Sequence, residues 1–326
     1  MLHLLRGSGY RTVEESGTDP TICRGAAGLE VSGRGCEHQI DAIADFQIPP
    51  PFSHPQRLLV EAKCFSERTN VGIEVARNAV GVLKDVSEFW ITSTAFEAHT
   101  NRYHYQYALF SATPYTLAAQ RYAFAQDIYL IPLAKSAFMA PAIAAIRSIS
   151  ATDFGATSPN SIPINLSELR TNIRTTLRRG FEEGEGDDAA IMMRLRPMCQ
   201  QAWRINYSFL AILGGRFPVF LVPSDYSMWV HPPPMMEVRI RWDDSRWYLD
   251  SLENRRLFSF DLPEALYEQY AVEGMLTAAR ALDLKQDMLR NFYAFLTIAD
   301  QVAVVRFQLD MNWLDSIRQA REERET

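Results

Sequence analysis

Two stretches of the chain alternate apolar and polar residues with period two, and each predicts a strand. From His38 to Phe46, Ile40, Ala42, Ala44 and Phe46 fall on one face; Gln39, Asp41 and Asp45 fall on the other. From Leu58 to Cys64, Leu58, Val60, Ala62 and Cys64 share the face expected to meet the core, opposite Leu59, Glu61 and Lys63. The connection Pro49–Pro55 is too rich in proline to be a central strand. Ahead of these lie a short helix or turn over Leu4–Glu15 and a strand over Gly28–Ser32, which ends in the turn Gly33-Arg34-Gly35. Behind them, Val75, Ala79, Val82, Leu83, Val86 and Trp90 recur at helical spacing. A strand over Tyr105–Ala112 follows, then a helix to Gln126 with Thr113-Pro114 as its cap and first turn. The apolar run Ile128–Leu133 predicts a strand buried on both faces. Strand, helix and strand in succession imply a crossover and parallel pairing.

The second half predicts strands at Tyr207–Leu213, Val219–Val222, Met236–Trp242, Arg246–Leu249 and Leu257–Phe260, with Asp243-Asp244-Ser245 as a hairpin turn. Helices at Pro263–Leu282 and Lys285–Ala299, a strand at Gln301–Leu309 and a charged terminal helix complete it. Ser148–Leu166, rich in Ser, Thr, Pro and Asn, reads as a seam, and Glu182–Asp188 reads as an exposed acidic loop. The expected fold class is α/β in the first half, followed by an α+β domain. A mixed sheet flanked by helices occupies residues 1–150. A second α+β domain follows at 155–326, with a boundary near 155.

The 326 residues are 47% hydrophobic and 22% charged, enough to bury a core and too apolar for a disordered chain. No apolar run reaches the ~20 residues of a membrane span. The opening Met1–Arg6 lacks a signal-peptide pattern, so the expectation is a cytoplasmic protein with no membrane partner. Net charge is −6; Lys+Arg against Asp+Glu is 13 to 14 over residues 1–150 and 20 to 25 over the rest. With no basic arm, any contact to nucleic acid has to come from local clusters. The four cysteines are Cys23, Cys36, Cys64 and Cys199. Cys23, Cys36, His38 and Cys64 match no usual zinc spacing, so reduced thiols are expected.

Asp41, Glu61 and Lys63 carry the chemistry. Period two puts Glu61 and Lys63 on one side of their strand, and Asp41 on the polar side of the preceding one. Antiparallel pairing of the two strands would bring the carboxylates' Cβ atoms to about 5 Å. Two carboxylates at that range repel unless a cation lies between them. A hard divalent ion such as Mg²⁺ suits the oxygens. Such an ion activates water toward phosphorus and neutralises transition-state charge, with Lys63 orienting the water, helping to deprotonate it, or steadying the phosphorane.

An Asp, a short connection and then Glu-x-Lys on the next strand resembles the PD-(D/E)xK nuclease superfamily. Gly28–Asp41, Leu59-Val60-Glu61-Ala62-Lys63 and the passage Leu109–Thr113 resemble the Mrr-type restriction endonucleases. The likeness covers about residues 3–133. It implies a restriction-endonuclease-like fold, Mg²⁺ (replaceable by Mn²⁺) and hydrolysis of phosphodiester bonds in double-stranded DNA. Asp41 and Glu61 match the metal ligands and Lys63 the catalytic lysine. Glu14, on the first helix, matches the accessory acid of some members, and Gln39, sharing Asp41's face, lines the site. Ile40 stands where the family name has proline. The likeness also implies an antiviral restriction effector. Residues 155–326 would then serve oligomerisation, partner docking or target recognition. A homo-oligomer, or a partner ATPase such as a HerA-type translocase, is the expected company, since the chain has no P-loop.

Arg77 and Asn78, on the helix after Lys63, are placed to touch a DNA phosphate or simply to face solvent. Arg239 and Arg241 form an arginine face, and Tyr103–Tyr107 an aromatic cluster; for both, ordinary packing competes with nucleic-acid contact. His38, three residues before Asp41, faces away from it as a buried or capping residue. The rival functions are a non-catalytic nucleic-acid-binding or assembly subunit, and a nuclease for RNA or branched DNA.

Overall fold

The structure is a computed structural model that describes residues 1–17, 19–26, 28–48, 51–89, 103–133, 136, 138–150, 165–179, 189–205, 208–243, 246–299 and 301–325. In chain order the first elements are α1 (Leu2–Gly7), β1 (Tyr10–Val13), β2 (Ile22–Arg24), β3 (Leu29–Ser32), β4 (Glu37–Gln39), β5 (Ala42–Phe46), β6 (Gln56–Lys63), α2 (Ile73–Ser87), β7 (His104–Ser111), α3 (Leu117–Ala125) and β8 (Ile128–Pro132). β1, β5, β6, β7 and β8 form a mixed sheet in that order, and β2, β3 and β4 an antiparallel one. β5 pairs antiparallel with β6 across the proline-rich connection, and β6 pairs parallel with β7 after α2, the latter as the strand–helix–strand order implies.

Both faces of the five-stranded sheet are covered. Leu59, Tyr107 and Leu109 pack against Ala76, Ala79 and Val82 of α2 and Ala119 of α3. The other face meets strands from the second half of the chain. There Phe46 sets its ring edge-on to Phe295 at 5.2 Å, and Gly9 donates its N–H to Thr297 Oγ1 at 3.2 Å. A mostly apolar cavity of ≈ 210 Å³ lies between them, lined by residues that include Leu58, Phe110 and Leu210.

Double coverage explains one departure from the pattern, and the ends of strands and helices explain the others. Ala42, Ile43, Ala44 and Asp45 are all buried, although only one face of that strand was expected to be. The core burial of β6 ends at Val60, so Ala62 and Cys64, expected inside, are exposed. The predicted strand His38–Phe46 is two strands in two sheets, parted at Ile40-Asp41. The predicted helix over Leu4–Glu15 stops at Gly7. Gly9 there takes φ +85°, which glycine adopts freely, and the chain re-enters as β1. Helix α3 is capped by Thr116, whose Oγ1 accepts from Ala119 N, rather than by Thr113. β8 is an edge strand with Tyr129 and Leu130 half-buried, not one buried on both faces.

The chain continues as α4 (Ala140–Arg147), α5 (Leu166–Arg179), α6 (Ala189–Arg204), β9 (Phe209–Leu213), β10 (Phe217–Pro223), β11 (Met235–Asp243), β12 (Arg246–Ser251), β13 (Arg256–Phe260), α7 (Glu264–Tyr270), α8 (Ala278–Met288), β14 (Asn291–Ile298), β15 (Gln301–Leu309) and α9 (Met311–Glu325). Seven of these strands close a barrel in the order β10-β13-β12-β11-β15-β14-β9. Its only parallel pairing, among the described residues, is β11 with β15. Phe209, Trp229, Trp247, Phe258, Phe292 and Phe307 fill its core. Each such aromatic contributes on the order of 1.5–3 kcal/mol by leaving water.

The segment Lys285–Ala299, expected to be a helix, divides between the end of α8 and strand β14. Phe292, Ala294 and Leu296 are buried at period two in β14, which fits a strand and not a helix. The single helix expected over Pro263–Leu282 is broken where Glu273 and Gly274 both take positive φ; α8 then restarts on a Thr277 cap.

Two compact units result: Met1–Pro132 together with Tyr207–Thr326, and Leu133–Asn206. Within the smaller, α4 and α5 pack on α6, where Leu195 and Cys199 are buried. Burial pushes the Cys199 thiol up to about 11. The boundary placed near 155, the acidic loop 182–188, the centre of the 243–245 turn and Trp90 lie outside the described residues. Among those described, no helix is long and apolar enough to cross a membrane.

Candidate active site

β6 lies in the middle of its sheet, where Leu58, Leu59 and Val60 anchor it in the core. The strand then runs out of the core, and Glu61 and Lys63 reach half-exposure on the side that Leu59 occupies below. Their side chains pair directly, Lys63 Nζ to Glu61 Oε1. Tyr107 of β7, in register with Leu59, sends its hydroxyl to Glu61 Oε2 at 3.0 Å. Burial raises the Tyr107 phenol, and the charges of Glu61 and Asp41 beside it add to the rise, so it remains a donor throughout the ordinary pH range.

Asp41 occupies the step between β4 and β5. Ala42 pairs with Val60, so Asp41 comes level with Glu61 in the antiparallel register. It is exposed, and its Oδ2 accepts from the backbone N–H of Ala62 at 2.8 Å. The structure therefore brings Asp41, Glu61 and Lys63 to one end of two adjacent strands, with Tyr107 behind them. The strand parity that pairs Tyr107 with Leu59 was the signal for its part, visible only once the parallel register is known.

Glu14 is not on the first helix. It follows β1, which is two strands away from β6 in the sheet, and it pairs with Arg6 and accepts from Thr12 Oγ1 at 3.3 Å. Gln39 does not share Asp41's strand. It is exposed on β4, opposite Glu30 of β3, because the chain changes sheets between the two residues. Arg77 and Asn78 are exposed on α2; the Arg77 guanidinium lies 5.8 Å from the Tyr122 ring centroid.

The remaining candidates are engaged by other side chains of the protein. Arg239 bonds Asp310 at 3.1 Å, and Arg241 bonds the buried Asp250 at 3.1 Å. Tyr103 stacks under Arg57 at 3.5 Å and packs beside Tyr105. His38 is half-buried and contacts Asp85 at 2.8 Å.

The donor set fits a hard cation. Two carboxylates offer oxygens, and each of those already hydrogen-bonded keeps a second lone pair.

No family model matches the chain, and no curated protein matches it. Among solved structures it is similar to a protein of unknown function, AF1548, at 15% identity and a TM-score of 0.32, over 60% of this chain and 90% of that one.

Proposed function

We propose that the chain is a metal-dependent nuclease of the PD-(D/E)xK kind, with the Mrr-type enzymes as its nearest analogy and double-stranded DNA as its substrate. The observation that supports this reading is the placement of Asp41 on the Ala62 N–H, between Glu61 and Lys63 of the neighbouring strand. Asp41 and Glu61 would hold Mg²⁺, which supplies Lewis acidity toward a phosphoryl oxygen. Tyr107 and Lys63 orient the Glu61 carboxylate. Lys63, partly exposed, also presents an ammonium to the oxygens on which charge develops during in-line displacement. The exposed helix face of Arg77 and Asn78 is open to a phosphate of the same duplex. In this reading the chain acts in restriction or antiviral defence, as an oligomer or with a motor partner.

The test is cleavage of supercoiled, linear and single-stranded DNA, and of RNA, with and without Mg²⁺. Cutting of duplex DNA that needs Mg²⁺ and disappears in both Asp41→Ala and Lys63→Ala is expected. Cutting that survives either substitution, or a chelator, would overturn the site. A preference for RNA would keep the site and change the substrate.

A further inference from the structure

We propose that Cys36, His38 and Asp85 form a zinc site that ties the β3–β4 hairpin to the last turn of α2 and leaves one coordination position open to solvent. The proposal stands apart from the nuclease reading and uses none of its residues. The sequence pattern considered Cys23 and Cys64 as companions of Cys36 and His38. The fold supplies Asp85 instead, 47 positions further along the chain from His38.

The three ligand atoms lie within 4.8 Å of one another. His38 Nε2 is 2.8 Å from Asp85 Oδ2 and 3.7 Å from Cys36 Sγ. Tetrahedral Zn²⁺, with Zn–N and Zn–O near 2.0 Å and Zn–S near 2.3 Å, holds its ligand atoms roughly 3.3–3.8 Å apart. The sulfur and nitrogen already have that separation. The carboxylate has to open from the ring by roughly half an ångström, a small rotation for a partly exposed side chain.

The backbone around Asp85 is shaped for the carboxylate. Gly35 N donates to its Oδ1 at 3.0 Å and to its Oδ2 at 3.2 Å, and Arg34 N donates to its main-chain oxygen at 3.1 Å. A Cβ on Gly33 would sit 2.1 Å from Asp85 Oδ2, so the approach requires glycine there. Gly33 N also closes the turn on Cys36 O at 2.8 Å, which places the thiol beside the ring.

Three further arguments select the ion. A thiolate with an imidazole favours zinc over magnesium, which prefers an all-oxygen set. A cation at the C-terminal turn of a helix meets the negative end of its dipole. Thiolate and carboxylate together neutralise the two charges of the ion. Cys36 is exposed, so three protein ligands leave the fourth position to water, the arrangement of open zinc sites.

The test uses the full chain, stripped of metal and titrated with Co²⁺ as a spectroscopic probe and then with Zn²⁺. The expected result is a thiolate-to-cobalt charge-transfer band that saturates at one equivalent per chain and is bleached by Zn²⁺. Cys36→Ser should lose the band, while Cys64→Ser and Asp41→Ala keep it. Asp85→Asn, which preserves shape, should weaken Zn²⁺ binding at least ~10-fold, since even outer-shell partners of a metal site cost that much. Circular dichroism checks that each variant folds. No band in the wild-type chain, a band that persists in Cys36→Ser, or unchanged Zn²⁺ affinity in Asp85→Asn would each overturn the site. The last outcome would reduce His38 and Asp85 to a hydrogen-bonded clasp. Carboxylates alone give no thiolate band, so failure here leaves the nuclease reading untouched, and loss of DNA cutting leaves this one untouched.

Discussion

Tyr107 holds Glu61 from the neighbouring strand, hydroxyl to carboxylate, across 3.0 Å. The phenol is almost fully buried, so its direction is fixed by packing under α2 and not by solvent. Tyr107→Phe keeps the packing and removes the bond. The expected cost in stability is about 1 kcal/mol, because Lys63 still pairs the carboxylate. In the cleavage assay the Mg²⁺ concentration needed for half-maximal cutting should rise several-fold, with a smaller fall in the maximal rate. An unchanged Mg²⁺ dependence would show that Tyr107 only packs.

Asp41 separates structure from chemistry in one pair of substitutions. Asp41→Asn keeps an oxygen to accept from Ala62 N but loses the charge, whereas Asp41→Ala loses both. The Asn variant should unfold within about 0.5 kcal/mol of wild type in urea, and the Ala variant should lose up to about 1 kcal/mol. Both should be inactive on DNA if the carboxylate holds the metal. An active Asn variant would assign Asp41 to strand geometry alone.

How far these relationships were legible depended on whether one strand or several decide them. Glu61 and Lys63 sit on one uninterrupted strand, so period two placed them together; Asp41 joins them only if the two strands pair antiparallel, which the register of β5 and β6 supplies. Gln39 and Glu14 were placed by extending an element past its end. A buried Ile40 at a change of sheet and a glycine with positive φ stopped those elements, and neither event alters the local apolar pattern. The β14 segment was read as a helix because its apolar residues are dense enough to satisfy both periods. Only closure of the barrel, with β14 between β9 and β15, selects the strand. Asp85 was unreadable for a different reason: its partners come from a hairpin far away in the chain.

Arg57 tests the base of the sheet. It is 1% exposed and carries Asp45 at 2.7 and 3.1 Å, Asp19 at 2.7 Å and Thr21 at 3.2 Å. Arg57→Met fills much of the same volume but leaves the buried Asp45 only the exposed Arg11 at 3.5 Å as a counter-charge, so a loss of about 3 kcal/mol is expected. Asp45→Asn in the same chain should recover part of it. A double variant no more stable than Arg57→Met alone would refute the pairing as the cause.

The same cluster sets an acid limit. Burial works to raise the Asp19 carboxyl, but hydrogen bonds from Thr21 and the Arg57 charge outweigh it, and the folded value lies below the ordinary one. Such a group contributes stability that is fully present above its unfolded value, near 4, and is lost as pH falls through the folded value. Urea midpoints should therefore drop below about pH 4, and Asp19→Asn should flatten part of that drop. An identical acid profile in Asp19→Asn would remove it from the account.

Lys285 makes the opposite prediction in the barrel. It lies on α8 between buried Leu282, Leu284 and Leu289, with its ammonium 5.3 Å from the Trp313 ring and 5.9 Å from Trp247. Burial pulls the amine down to about 8, against an ordinary value near 10.4. Between those two values the unfolded chain holds a proton that the folded chain has released. Unfolding then takes up protons, and stability climbs as pH rises from about 8 to about 10.4. Below pH 8 both states are charged and the whole penalty stands, on the order of 3 kcal/mol. Lys285→Met, with similar length and no charge, should therefore stabilise the protein at pH 7 by about 1–3 kcal/mol, and the advantage should shrink toward pH 10. The measurement is the difference between the two urea midpoints across that range, which cancels every other titrating group. A variant that is less stable than wild type at pH 7, or a difference that does not change with pH, would mean that the cation and the rings attract strongly enough to reverse the sign.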